Sequence, residues 1–473
     1  MKISKRKLLL LAGPLLLAAC VLLLPKSIFP AMNARIAIGS VAWMAFWWIT
    51  GPVDFAVTAF LPIAINSLFQ VADMSKVIAN YSSETILLLL GASILSVTWE
   101  ETGLDRRLAA KFLSLIGSNF RSQIIFWFIL CAGLSAILPN AVVCATITPI
   151  AVSMLRYLGE NDIAKSRHGS LILLTIAYAT GVGGLASPLG GAMNLVTVDY
   201  LEQLTGQEYM YISWVIRFLP IMLVLVVSNI LLLLIGTKKD EDLGGSKEYF
   251  MNQYAAMPKM TREERWSFAL FVAATILSFS RQFYQGWLPG LKPAYVFITC
   301  GIVAFLITRK DGGRLILWGS TQKKIGWELM YVFAGGLAAG TLINDSGAAK
   351  AIGDFIAGTS LDGGFTTVLV IVLVTVLLSD VTSNTATAAV AMPIVISIVQ
   401  GINKNPIPYI YIASIGVNLS YMLPTSIRAI PVGYGLEPRY MLKKGVPVTI
   451  VVILLMSVLG YLMLQYWPAF QTV

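Results

Sequence analysis

The sequence predicts an all-α polytopic membrane protein of about eleven transmembrane helices and two re-entrant hairpins. Composition is the first reason: 57% of the 473 residues are hydrophobic, 12% are charged, and the mean hydropathy is +0.77. A soluble domain carries roughly 25% charged residues. The second reason is arrangement, because the apolar residues form long blocks separated by short basic loops. The short alternating strands of a membrane β-barrel are not seen. The net charge of +10 is spread over membrane-flanking loops, which speaks against nucleic acid as a partner and for the positive-inside bias of a protein embedded in lipid.

At about 20 residues per crossing, spans fall near 7–25, 34–50, 52–68, 84–99, 168–194, 211–236, 266–282, 288–308, 327–343, 406–436 and 446–467. The N-terminal run resembles a signal peptide but is longer than a usual apolar core and lacks a convincing cleavage site, so it reads as a retained span. Two further apolar segments, 122–158 and 364–401, are too long for one crossing. Pro139-Asn140-Ala141 interrupts the first and Ser383-Asn384-Thr385 the second, so each draws as a hairpin that enters and leaves by one side. Residues 1–75 then supply scaffold helices, 76–210 a first repeat, 211–326 further scaffold helices with a linker at 237–265, and 327–473 a second repeat. The charged linker reads as cytoplasmic, with an amphipathic surface helix as one reading of it.

Charge orients this drawing. With the N-terminus cytoplasmic and the C-terminus outside, 25 of the 34 basic residues lie inside, eight outside, and Arg428 within a span. That is the layout of a multi-pass cell-membrane protein.

Positions 244 apart match without gaps over some seventy residues: Glu84 with Glu328, Gly91 with Gly335, Gly103 with Gly347, Asn140 with Asn384 and Pro149 with Pro393. In the charge-derived topology the two copies run in opposite directions, giving the inverted repeat of secondary transporters, with a site at mid-membrane.

After each hairpin comes a span broken by glycine and proline. One holds Ser187, Pro188 and Asn194; the other holds Pro424, Thr425, Ser426, Arg428 and Pro431. Such breaks free backbone groups to face a ligand. Charges inside spans are functional candidates, and Arg428 and Asp380 are the two that stand out. A guanidinium there suits a carboxylate held by two parallel hydrogen bonds, with Ser383, Asn384 and Thr385 as neutral donors to the same anion. A small carboxylate anion follows, most simply a dicarboxylate. Asp380 has three readings: counter-ion to Arg428, proton or cation ligand, or helix-end acceptor. Cys20, Cys131, Cys144 and Cys300 lie singly in apolar stretches, and His168 is the only histidine, so metal, disulfide and triad chemistry are disfavoured and no cofactor is expected. A membrane enzyme and a channel are the competing classes, and the repeat and hairpins favour a carrier.

These residues resemble the divalent anion:sodium symporter (INDY-like) family. Asp380-Val-Thr-Ser383-Asn384-Thr385-Ala-Thr-Ala with Pro393 is similar to its second Ser-Asn-Thr signature, and Ser187-Pro-Leu-Gly-Gly-Ala-Met-Asn194 to its Thr-Pro-x-Gly-Thr-Pro-Pro-Asn loop. Met422-Leu-Pro424 with Gly433-Tyr-Gly435, and the stretches at 100–107 and 344–352, also fit, over about 75–470. The resemblance implies di- or tricarboxylate transport (succinate, malate, fumarate, 2-oxoglutarate or citrate), a homodimer, and elevator motion of a transport domain against a scaffold. It also implies that Asn140 and Ser383-Asn384-Thr385 touch substrate, and that two sodium ions sit between each tip and its neighbouring broken helix.

Two departures redirect that expectation. The first tip, Pro139-Asn140-Ala141, lacks both hydroxyls of Ser-Asn-Thr, and Arg428 stands in the second loop, where the family has none. Two unit charges 4 Å apart repel by about 4 kcal/mol at an effective dielectric of 20. The sequence therefore points to a sodium-independent anion exchanger in which Arg428 supplies the positive charge. The alternative is a sodium- or proton-coupled symporter of the same substrates, with Na⁺ as its ion.

Overall fold

A computed structural model describes residues 5–357 and 361–473; Lys2, counted above among the inner charges, lies outside them. The described residues form helices and no strands, with isolated bridges only at Asn119–Asp242 and Thr308–Arg314. Six stretches are long and apolar enough to cross a membrane, among them Arg6–Leu23, Tyr211–Leu233 and Pro438–Tyr466. Their outer faces show the apolar side chains that lipid requires, such as Leu223, Val227 and Leu231 on one and Ile450, Leu454 and Val458 on another.

The repeat recurs element by element. Glu84–Thr102 and Trp327–Asp345 are each 19 residues long. Each is followed by a glycine in the left-handed region, Gly103 at φ 75° and Gly347 at φ 77°, a turn that a side chain would strain. Ten-residue helices follow, Leu104–Leu113 and Ala348–Ala357. Next come the two hairpins, Phe120–Ser135 with Asn140–Tyr157, and Phe365–Val381 with Asn384–Gly401. Both second arms are 18 residues long, begin at the matched asparagine, and carry the matched prolines, Pro149 and Pro393.

The span at 52–68, as well as the two marked as broken in the sequence, is not a continuous helix. Residues 52–68 split into Phe55–Thr58 and Leu61–Phe69, because Pro62 has no N–H to continue the first piece and starts the second. The span at 168–194 leaves its helix at Gly184, makes a tight turn at Pro188–Gly190, and resumes as Ala192–Thr205. Its counterpart runs Pro406–Asn418, unwinds, and re-forms through Ser426–Arg428 and Ala429–Gly433.

Arg167–Gly184 is buried along nearly its whole length and packs on the first hairpin arm. The approach is so close that a Cβ at Gly183 would overlap the backbone carbonyl of Ala132, which cannot swing away as a side chain could. Gly183→Ala should therefore destabilise the protein by about 1–3 kcal/mol and lower its thermal midpoint in detergent. An unchanged midpoint would mean that the two helices can separate freely.

The linker's helix, Ser246–Ala255, packs on the base of the first hairpin. Phe250 is fully buried against Trp127, with ring centroids 5.9 Å apart, and Gln123 Nε2 donates to Ser246 Oγ at 2.7 Å. His168 closes the same region, its ring nitrogens 3.1 Å from Glu160 Oε1 and 2.9 Å from Glu241 Oε1.

Candidate functional site

Both hairpin tips reach the end of one helix. Asn140 Nδ2 lies 3.4 Å from the place a Gly184 Cβ would take, and Arg428 Nη2 lies 2.6 Å from that of Gly181. A residue larger than glycine at 181 would displace the guanidinium, so this glycine is what admits it. Arg428 Nη1 in turn donates to Asn384 Oδ1 of the second tip at 3.2 Å. The second arms begin here, so two 18-residue helices direct the positive ends of their dipoles at one region. Pro139 gives the first tip no side-chain cap, whereas Ser383 caps the second by accepting from the Ala386 N–H at 3.1 Å.

The first break is stapled by Asn194, which is fully buried. Its Nδ2 donates to the carbonyls of Gly184 at 2.7 Å and Ser187 at 2.8 Å, and its Oδ1 accepts from Asn418 Nδ2 at 2.8 Å. Trp214 Nε1 takes the Leu185 carbonyl at 2.8 Å. Carbonyls released by the unwinding are thereby satisfied by amide and indole donors. Pro188 opens the tight turn, and the buried Ser187 Oγ has no partner among the described residues.

The second break is pinned by Asp380. Its Oδ1 accepts from the Tyr421 and Met422 N–H groups, each at 2.8 Å, and its backbone carbonyl accepts from Thr425 Oγ1 at 3.1 Å. Of the three readings of Asp380, this geometry displays the helix-end acceptor; it forms no ion pair with Arg428 within 4 Å. Ser426 is exposed and left-handed at φ 52°, and Thr425 and Ser383 are half-buried.

Arg428 is 1% exposed. Its two hydrogen bonds go to neutral oxygens, Asn384 Oδ1 and, at 3.4 Å, the Asn418 carbonyl. Asn384 Oδ1 also accepts from Ser379 and Ser420, each at 3.2 Å. The guanidinium thus bridges the second tip and the second broken helix. Arg428 Nε, Asn384 Nδ2 and Asp380 Oδ2 are buried without partners among the described residues. Thr385 is 5% exposed in the first turn of the same arm.

A cavity of about 1040 Å³ opens between Glu84–Thr102 and the first hairpin. Pro139 and Ala141 of the tip line it together with Ile430, two residues past Arg428, and Asp105, Arg106 and Lys324 line it further out. Asn140, 9% exposed between those two tip residues, and Arg428, 1% exposed, do not themselves line it. Of the residues singled out in the sequence, the structure brings Asn140, Asn384, Asp380 and Arg428 to this region. Gly181, Ser379, Asn418, Ser420 and Asp105 join them, and of these Gly181, Asn418 and Ser420 were marked in the sequence only by lying in broken spans.

The citrate transporter family profile matches residues 45–416. The sodium-dependent dicarboxylate transporter SdcS of Staphylococcus saprophyticus is 27% identical over 444 residues, covering 90% of this chain and 85% of that one. SdcS of Staphylococcus aureus is 27% identical over 433 residues, covering 88% and 82%. Two solved transporters share the fold at low identity. They are YdaH of Alcanivorax borkumensis (TM-score 0.53, 13% identity, 83% of this chain and 88% of that one) and MtrF of Neisseria gonorrhoeae (0.55, 12%, 94% and 96%). The chain therefore belongs to the citrate transporter family, in line with the resemblance to divalent anion:sodium symporters, and is a membrane transporter rather than an enzyme.

Proposed function

We propose that the protein is a secondary transporter of small dicarboxylates that works as a sodium-independent anion exchanger. The observation that carries this reading is Arg428, a buried cation with no carboxylate within ion-pair distance, lodged between the second tip and its broken helix. That gap is where the family resemblance would put a sodium ion. A permanent guanidinium already donates to its oxygens and would repel a metal cation by several kcal/mol. At the first break the released carbonyls are taken by Asn194.

In this reading the dianion docks at the floor of the cavity, against Asn140 and the uncapped amides of the first tip. Ser383, Thr385, Thr425 and Ser426 approach from the second half, in the field of Arg428 and two helix N-termini. Ser187, Pro188 and Asn194 shape the opposing break. Bound substrate gives the guanidinium an anionic partner that the empty carrier lacks, which disfavours crossing unloaded and couples influx to efflux. A homodimer whose hairpin-bearing parts move as an elevator against the remaining helices suits the repeat, with the N-terminus on the cytoplasmic side.

The second reading is sodium- or proton-coupled symport, favoured by the sodium-dependent relatives. Proteoliposomes separate the two. Succinate uptake is expected only when the lumen holds succinate or malate, and it is expected to ignore a sodium gradient. Sodium-driven accumulation in empty vesicles refutes exchange.

A further inference from the structure

Two carboxyls lie on the wall of the cavity through which an anion would travel, Glu100, which is paired with Lys324, and Asp105. Asp105, in the first turn of Leu104–Leu113, lines both this cavity and a small crevice walled by Trp99, Leu108, Leu138, Val143 and Ile147. Its Oδ2 accepts from Thr146 Oγ1 of the first hairpin at 3.3 Å, and its Oδ1 is buried without a partner among the described residues. No cation pairs with it within 4 Å. On its own helix the neighbouring Arg106 is exposed. From Glu84–Thr102 it faces Glu100, which is itself bound by Lys324 at 2.7 Å, and from the hairpin arm it faces only the Thr146 hydroxyl. Burial, helped by Glu100 and opposed by Thr146 and Arg106, holds the carboxyl above the ordinary carboxylate range.

We propose that Asp105 is a protonation site controlling entry from this cavity: ionised it opposes a dianion on its way to the first tip, and protonated it lets the dianion pass. The proposal rests on the dicarboxylate reading above. The sign follows from an acid with a raised pKa. Asp105 is neutral at low pH and ionised at high pH, so the barrier grows as pH rises.

The test is succinate exchange in proteoliposomes at equal pH on both sides, from about pH 8 downward, comparing wild type with Asp105→Asn. Taking the ratio of KM values at each pH cancels the shared loss of the succinate dianion, and a Thr146→Val comparison separates the titration of Asp105 from that of succinate. The asparagine variant should have a KM lower on the order of fivefold at the alkaline end, as one charge facing a dianion across a wet cavity implies. The ratio should fall toward one as the pH drops. Thr146→Val removes the hydroxyl that favours the ionised form, so its inflection should move to higher pH. A KM ratio that does not change with pH, or an unmoved inflection in Thr146→Val, overturns the proposal. A wild type that exchanges no carboxylate at any pH brings down the transport reading and this inference together.

Discussion

Arg428→Ala is expected to reduce dicarboxylate exchange by on the order of a hundredfold without unfolding the protein. Truncating a buried, hydrogen-bonded charge at a binding site costs about 2–5 kcal/mol, and each 1.4 kcal/mol is a factor of ten. Arg428 bridges Asn384 of the second tip and the carbonyl of Asn418, and no carboxylate lies within 4 Å of it. Its removal should therefore leave the thermal midpoint in detergent nearly unchanged, since the desolvation cost of the buried cation offsets what its hydrogen bonds contribute. Arg428→Lys should fall between, because an ammonium keeps the charge but not the planar fork that reaches both oxygens. Full activity in Arg428→Ala would reduce the guanidinium to filler between helices.

Asn194→Ala is expected to have the largest effect on stability, about 3–5 kcal/mol, with transport lost in parallel. The substitution removes two donations to buried carbonyls, those of Gly184 and Ser187, and one of the two acceptors of Asn418 Nδ2, the other being the Ser414 carbonyl. Buried hydrogen bonds left unmade cost about 1–3 kcal/mol each, and these three share one side chain, so their sum is not additive. Asn194→Asp should be no better, because it keeps the acceptor but abolishes both donors and buries a charge. Detergent thermal melts and succinate exchange read the two effects; a variant with a normal midpoint would show that the break holds its shape without the staple.

What could be read from the chain alone was whatever leaves a mark over neighbouring residues. A polar tripeptide in the middle of an overlong apolar run marks a hairpin tip, so Asn140 and Asn384 were visible, and their spacing of 244 exposed the duplication. Arg428 was visible because a charge in an apolar run is costly. Asp380 was found, but its role depends on where one oxygen points, and three roles stayed open until the Tyr421 and Met422 amides appeared beside it. Gly181 and Asn418 carried no mark beyond lying in a broken span, because what each touches is decided by the fold. The division of 52–68 was hidden because Pro62 reads equally as a kink and as the start of a new helix, and neighbouring packing decides between them. Asp105 sits in a charged stretch, and only the cavity beside it sets it apart.

The docked linker fixes where slack in the chain can lie. One end is fastened to the first hairpin through Phe250, Ser246 and the bridge from Asp242 to Asn119. The other end is fastened to Leu104–Leu113, where Arg107 holds Glu264 at 2.7 Å and the Pro258 carbonyl at 2.7 Å. Seven residues, 251–257, separate Phe250 from Pro258, and the first five of them are helical. In the proposed elevator motion, a hairpin that slides several ångströms past that helix has to peel one anchorage away or stretch this tether taut, so the connector between the halves would act as a leash on the stroke.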